Sequence, residues 1–191
     1  EGTVARVALE LSQGQGEAAL LPTLWGEPYL NKAPGLHSLI GAVIQLSTPG
    51  DQLPPEGLVR LMPALLSSLV VPLGGLLQWR LRPGDRGSAL ATGALLLTLL
   101  PIARHGRLAM LDGSQLSAMA LLWLALASLN GRSGDRWWGL TAGLMGSAML
   151  LLKAPLLIPM AAAALAAAAL GMEWRQCRVG AAVTGLLTGL L

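Results

Sequence analysis

Past residue 60 the charges of this chain are confined to short connections, and the stretches between them are long and apolar. They cover residues 61–78, 88–103, 108–130, 139–152, 154–172 and 179–191, interrupted by Asp112 and separated at one point only by Lys153. A helix that crosses the hydrocarbon of a bilayer needs about 20 mostly apolar residues, with a range of roughly 17 to 25. The pattern predicts an all-α fold, a polytopic transmembrane helical bundle over 61–191. Two of the stretches are short, and 139–152 with 154–172 read also as one bent block about Lys153, with Pro155 and Pro159 marking the bend. Only 12% of the 191 residues are charged, against about a quarter in soluble domains, which excludes a water-soluble globular domain, a disordered tail and a nucleic-acid module. The single cysteine, Cys177, excludes a disulfide framework and a cysteine metal cluster. The sequence opens without Met and stops inside an apolar run, which reads as a fragment of a longer chain.

Residues 1–60 follow other rules. Val4, Val7, Ala8 and Leu11 recur at i, i+3, i+4, i+7 with Arg6 and Glu10 opposite, which predicts an amphipathic helix over 1–12. A proline-punctuated stretch with Trp25, Tyr29 and Lys32 follows. Leu36, Leu39, Ile40, Val43 and Ile44 then form a second apolar stripe, with His37, Gly41 and Gln45 on the other face. This run is too short to span, so an interfacial or re-entrant helix is expected. Residues 1–60 then form one outer-face loop. The connections 79–87, 131–138 and 173–178 lie on the opposite side and carry seven of the eleven arginines, with Trp79, Trp137, Trp138 and Trp174 at their edges. The positive-inside rule and the aromatic belt make that side cytoplasmic, in a bacterial inner membrane with the site on the periplasmic face.

Ionisable groups at a membrane boundary are costly and therefore functional candidates. The outer-face set is Glu1, Lys32, Arg60, Arg104, Arg107, Asp112 and Lys153. For Asp112, composition offers a pair with Arg104 or Arg107, or a role orienting a base or a substrate hydroxyl. For Lys153 it offers snorkelling to the interface or the same kind of function. His37 and His105 have no partner at metal-ligand spacing, so no metal site is expected from them. Lys32 and Arg60 beside carboxylates at a membrane surface suit a lipid phosphate and general-base work.

The order of short motifs adds a resemblance. Glu1-Gly2-Thr3-Val4-Ala5-Arg6-Val7-Ala8-Leu9-Glu10 resembles the first outer loop of GT-C glycosyltransferases of the aminoarabinose-transferase and protein O-mannosyltransferase type, in which Asp-Glu precedes an amphipathic helix. Tyr29-Leu30-Asn31-Lys32-Ala33-Pro34 is similar to the family's Tyr-Phe-x-Lys-Pro-Pro. Arg60-Leu61-Met62-Pro63-Ala64-Leu65 is similar to its Arg-x-x-(Pro/Ser)-Ala. Leu111-Asp112 resembles its second outer-face Asp, and Gly143 through Lys153-Ala154-Pro155 its Gly-Leu-x-x-Gly…Lys-Gly segment. Ala33 and Ala154 depart from the family pattern, and the family's principal Asp falls just before Glu1.

The resemblance implies sugar transfer from a polyprenyl-phosphate-linked donor to a lipid, glycan or protein acceptor at the membrane surface. It gives Glu1 and Asp112 catalytic assistance, directly or through an optional divalent metal, and Lys32 and Arg60 the donor phosphate. Tyr29, Arg104, Arg107 and Lys153 support the site. Membrane lipids are the remaining partner, and nucleic acid is not one. A polytopic transporter, with Asp112 and Lys153 coupling an ion, and an inactive GT-C-like scaffold are the rival expectations.

Overall fold

A computed structural model describes residues 2–14, 21–48, 53–106, 108–129 and 135–171. These residues are mostly helical, as the sequence predicts. The order is α1 (Gly2–Gln13), a two-stranded hairpin β1 (Thr23–Leu24) and β2 (Glu27–Pro28), α2 (Gly35–Ser47), α3 (Glu56–Ser68), α4 (Val70–Leu81), α5 (Arg86–Thr98), α6 (Leu100–His105), α7 (Leu111–Ser128) and α8 (Asp135–Gly171).

The centre of the bundle is α7, which packs on α3, α4, α6 and α8. Its buried positions, among them Leu111, Ser114, Gln115, Ala118, Leu122 and Ala125, run right round the helix, as expected of a helix enclosed by its neighbours. On one side α1 and α2 pack together, and α2 bridges to α3 and α8. Val4, Val7, Ala8 and Leu11 of α1 are buried as the stripe requires. The face of α2 differs from expectation. Leu36, His37, Ile40, Gly41 and Ile44 are buried, whereas Leu39 and Leu46 are exposed. The reason lies at Gly41, where a Cβ would stand 2.9 Å from the Ala8 carbonyl oxygen. The backbones of α1 and α2 approach at this glycine, and that turns its face of α2, His37 included, inward.

Of the spans read from the sequence that fall among the described residues, one is met by a helix of the required length and apolarity. Among the described residues the stretch Glu56–Leu81, α3 continued by α4, is long and apolar enough to cross a membrane. It is divided at Leu69. Pro72 has no N–H to offer the Ser68 carbonyl, four residues earlier, and Pro63 leaves the Val59 carbonyl in the same position. The expected span 88–103 is interrupted. The helix stops after Thr98, Leu99 is extended, and Pro101 enters the first turn of α6. A 13-residue α5 reaches only about 20 Å, against roughly 30 Å of hydrocarbon. In α7 the first turns carry Asp112, Ser114 and Gln115, which shortens its apolar run. The bend expected near Pro155 is present: within α8 the backbone leaves helical geometry at Lys153, with φ −162° and ψ 79°. The segment 179–191 lies outside the described residues.

Candidate functional site

The first turn of α7, the break in α8 and the loop before α2 come together. Lys153 Nζ donates to Asp112 Oδ1 at 2.9 Å. The pair joins the start of α7 to the bend of α8, and both side chains are about half exposed, 63% for Asp112 and 47% for Lys153. Of the two expected partners of Asp112, Arg104 is exposed on α6, and Arg107 lies outside the described residues, as does Glu1. The sequence marks Asp112 and Lys153 singly, and their contact spans 41 residues, so no local spacing reveals it.

A cavity of about 370 Å³ opens beside the pair. Leu30, Asn31, Lys32 and Ala33 line one side of it, Ala109 to Asp112 another, and Val4, Leu152 and Lys153 close it. Lys32, Asp112 and Lys153 are therefore brought to one pocket from three separate parts of the chain. Arg60 is set apart: it pairs with Glu56 one turn earlier on α3 and does not line this cavity. The helix explains the separation. Ser67 is the α3 residue level with the start of α7, since a Cβ on Gly113 would meet the Ser67 Cβ at 2.5 Å. Arg60 lies seven residues, about 10 Å, before it on α3.

The loop that presents Lys32 is held at its far side by His37. This ring is fully buried, and its Nδ1 lies 3.3 Å from the Ala33 carbonyl oxygen. A carbonyl only accepts, so Nδ1 carries the proton. Burial pushes the His37 pKa below 6.5, the hydrogen bond to Ala33 opposes this, and the nearby Lys32 charge adds to it. The neutral ring leaves Nε2 as a bare acceptor, without a partner. The Tyr29 and His37 rings meet edge to face with centroids 6.1 Å apart. Tyr29 thus supports the loop through His37.

A second cavity, about 560 Å³ and almost wholly apolar, lies next to the first. Pro34, Gly35 and Leu39 of the α2 region, Leu66, Leu69 and Leu73, Ala118 and Leu121, and Met145, Leu151 and Leu152 line it. Leu152 lines both, and Ala33 of the first is followed directly by Pro34 of the second. Ser114 Oγ, buried and without a hydrogen-bond partner, is also on its wall. On the other flank of Asp112 a third cavity of about 330 Å³ is lined by Ser67, Val70, Ile102, Gly106, Gly113 and Leu116. Neither apolar cavity is visible in the sequence, because both are made by helices distant along it.

Two ends of the molecule can be told apart. Asp112, Lys153 and Lys32 gather where α7 starts. Where α7 finishes, Arg80 Nε donates to Ser128 Oγ at 3.3 Å. The 17 helical steps between positions 111 and 128 separate these ends by about 25 Å. Among the described residues no group of three or more His, Cys, Asp or Glu is placed to hold a metal ion. Compared with known proteins, the chain matches no family model, no curated protein and no solved structure.

Proposed function

We propose that this chain is part of a multi-pass membrane glycosyltransferase that draws sugar from a polyprenyl-phosphate donor at the outer surface of the bilayer. One observation carries the reading: a pocket holding Lys32, Lys153 and Asp112 adjoins an apolar groove, with Leu152 in the wall of both. The groove suits a prenyl chain and the two ammonium groups suit a phosphodiester, with Lys153 taking the place that the resemblance gives to Arg60. Membrane contact is supported by Glu56–Leu81, in which only 17% of the apolar window is buried. A core helix of a soluble protein would be mostly covered. Here Leu61, Leu65, Leu69 and Leu76 line up exposed, as lipid-facing residues do. The 25 Å between the lysine pocket and Arg80 suits the two faces of a bilayer, with the arginine end cytoplasmic.

In the proposed transfer the bond between the anomeric carbon and the phosphate oxygen breaks, and the oxygen leaves with the electron pair. Lys32 and Lys153 stabilise the charge that develops there. The acceptor hydroxyl forms the new bond to the anomeric carbon and gives its proton to a carboxylate. Asp112, between the donor pocket and the third cavity, is placed to orient that hydroxyl. The Lys153–Asp112 contact gives the test its sign. In the full-length, membrane-inserted protein, Lys32→Ala and Lys153→Ala weaken binding of farnesyl phosphate at least tenfold. Asp112→Asn leaves Lys153 without its competitor, so binding holds or tightens while transfer from a labelled polyprenyl-phosphate sugar falls a hundredfold or more. Undiminished transfer in all three variants overturns the reading; an ion-coupled flux lost with Asp112→Asn favours the transporter.

A further inference from the structure

Glu10 lies outside the pocket, yet its carboxylate accepts from four donors. Its Oε1 accepts from Arg6 Nε at 2.7 Å and from the Trp25 N–H at 2.8 Å. Its Oε2 accepts from Thr23 Oγ1 at 2.7 Å and from the Gly26 N–H at 3.2 Å. Four donors fill the roughly four lone-pair sites of a carboxylate. Burial raises the Glu10 pKa, and the hydrogen bonds from Thr23, Gly26, Arg6 and Trp25 outweigh it, holding the group at about 2.

Three of the donors belong to the hairpin. Its ladder has two residue pairs, Thr23 with Pro28 and Leu24 with Glu27, and a two-stranded hairpin of that size is marginal in isolation. Its turn also needs positive φ at both central residues, 59° at Trp25 and 81° at Gly26. Glycine adopts this freely, while tryptophan does so only at a conformational cost. The Glu10 carboxylate receives the N–H of both turn residues and so holds the turn in that geometry. The Arg6 guanidinium, bound to the same carboxylate, lies 4.4 Å over the Trp25 ring. The Tyr29 N–H donates to the Pro22 carbonyl at 2.8 Å and closes the base of the hairpin. Three residues later the chain reaches Lys32.

We infer that Glu10 is a positioning residue for Lys32: by clamping the hairpin to α1 it fixes the near end of the loop at 30–33, whose far end His37 holds, and so keeps the Lys32 ammonium in the pocket. The inference rests on the phosphate-binding reading of Lys32. Its test compares the affinities of the full-length protein for farnesyl phosphate and for farnesol, because the ratio isolates what the phosphate contributes and cancels a general loss of the apolar groove. In wild type the ratio favours the phosphate and Lys32→Ala removes the preference. Glu10→Gln lowers the ratio about tenfold with farnesol affinity unchanged, and Thr23→Val, which removes one donor of four, lowers it by a smaller factor. A wild-type ratio near one overturns the phosphate reading and the inference with it. A ratio that Lys32→Ala abolishes and Glu10→Gln preserves overturns the role of Glu10 alone. Equal weakening toward both ligands, or failure of Glu10→Gln to insert while Thr23→Val keeps the full ratio, makes Glu10 a structural clamp only and overturns the inference as well.

Discussion

At the scale of single residues, the groups around Lys32 respond to acid in two separate windows. Burial holds the His37 pKa below 6.5, so the unfolded chain takes up the proton first. The stabilisation given by the neutral ring is complete above pH 6.5 and is lost as pH falls through the lower folded value. Wild type therefore loses thermal stability relative to His37→Gln as pH falls below 6.5, a difference that paired thermal melts measure. Glu10, held at about 2 from an ordinary 4.5, keeps its contribution above pH 4.5 and loses it only as pH falls toward 2. Of these two residues the sequence shows the helix position and little more. Glu10 sits correctly on the polar side of the α1 stripe, but three of its four partners lie 13 to 16 residues ahead in a hairpin. His37 was expected on the polar face of α2 and is buried, because the close contact at Gly41 decides which side of that helix turns inward.

At the scale of elements, α2 is confined between two backbones. Its Gly41 meets α1, and at its first residue a Cβ on Gly35 would stand 2.7 Å from the Leu151 carbonyl oxygen. That carbonyl is the one to which Pro155, four residues later, has no N–H to offer. The bend in α8 and the glycine at the start of α2 are thus two sides of one contact. Gly35→Ala and Gly41→Ala each push against main-chain atoms, and each costs about 1–3 kcal/mol. Gly57→Ala, with nothing within 4 Å of its Cβ, stays within about 0.5 kcal/mol. Thermal unfolding in detergent ranks the three, and equal midpoints contradict the packing described here. Helix types and the Lys153 bend were legible because periodicity and proline act locally. The interruption at Leu99 was not, since the expected span was counted by apolarity, to which Pro101 contributes no warning.

At the scale of the whole molecule, the charge pattern foretold a division into two ends, and the lysine pocket and Arg80 do lie at opposite ends of α7. In the membrane-spanning reading, single cysteines at positions 32 and 112, with Cys177 replaced, react with an impermeant thiol reagent from outside, and one at position 82 does not. Labelling of 32 and 112 from different sides breaks the common pocket. The pocket itself was legible only as a set of isolated charges: Lys32, Asp112 and Lys153 were all named, but the grooves beside them depend on which helices become neighbours. The pairing of Asp112 with Lys153 also has a consequence in time. At about 5–20 residues per second, the ribosome needs roughly 2 to 8 s to add the 41 residues between them. During that interval α7 exists without the ion-pair partner of Asp112, so the early life of this helix is spent waiting for a residue still to be synthesised.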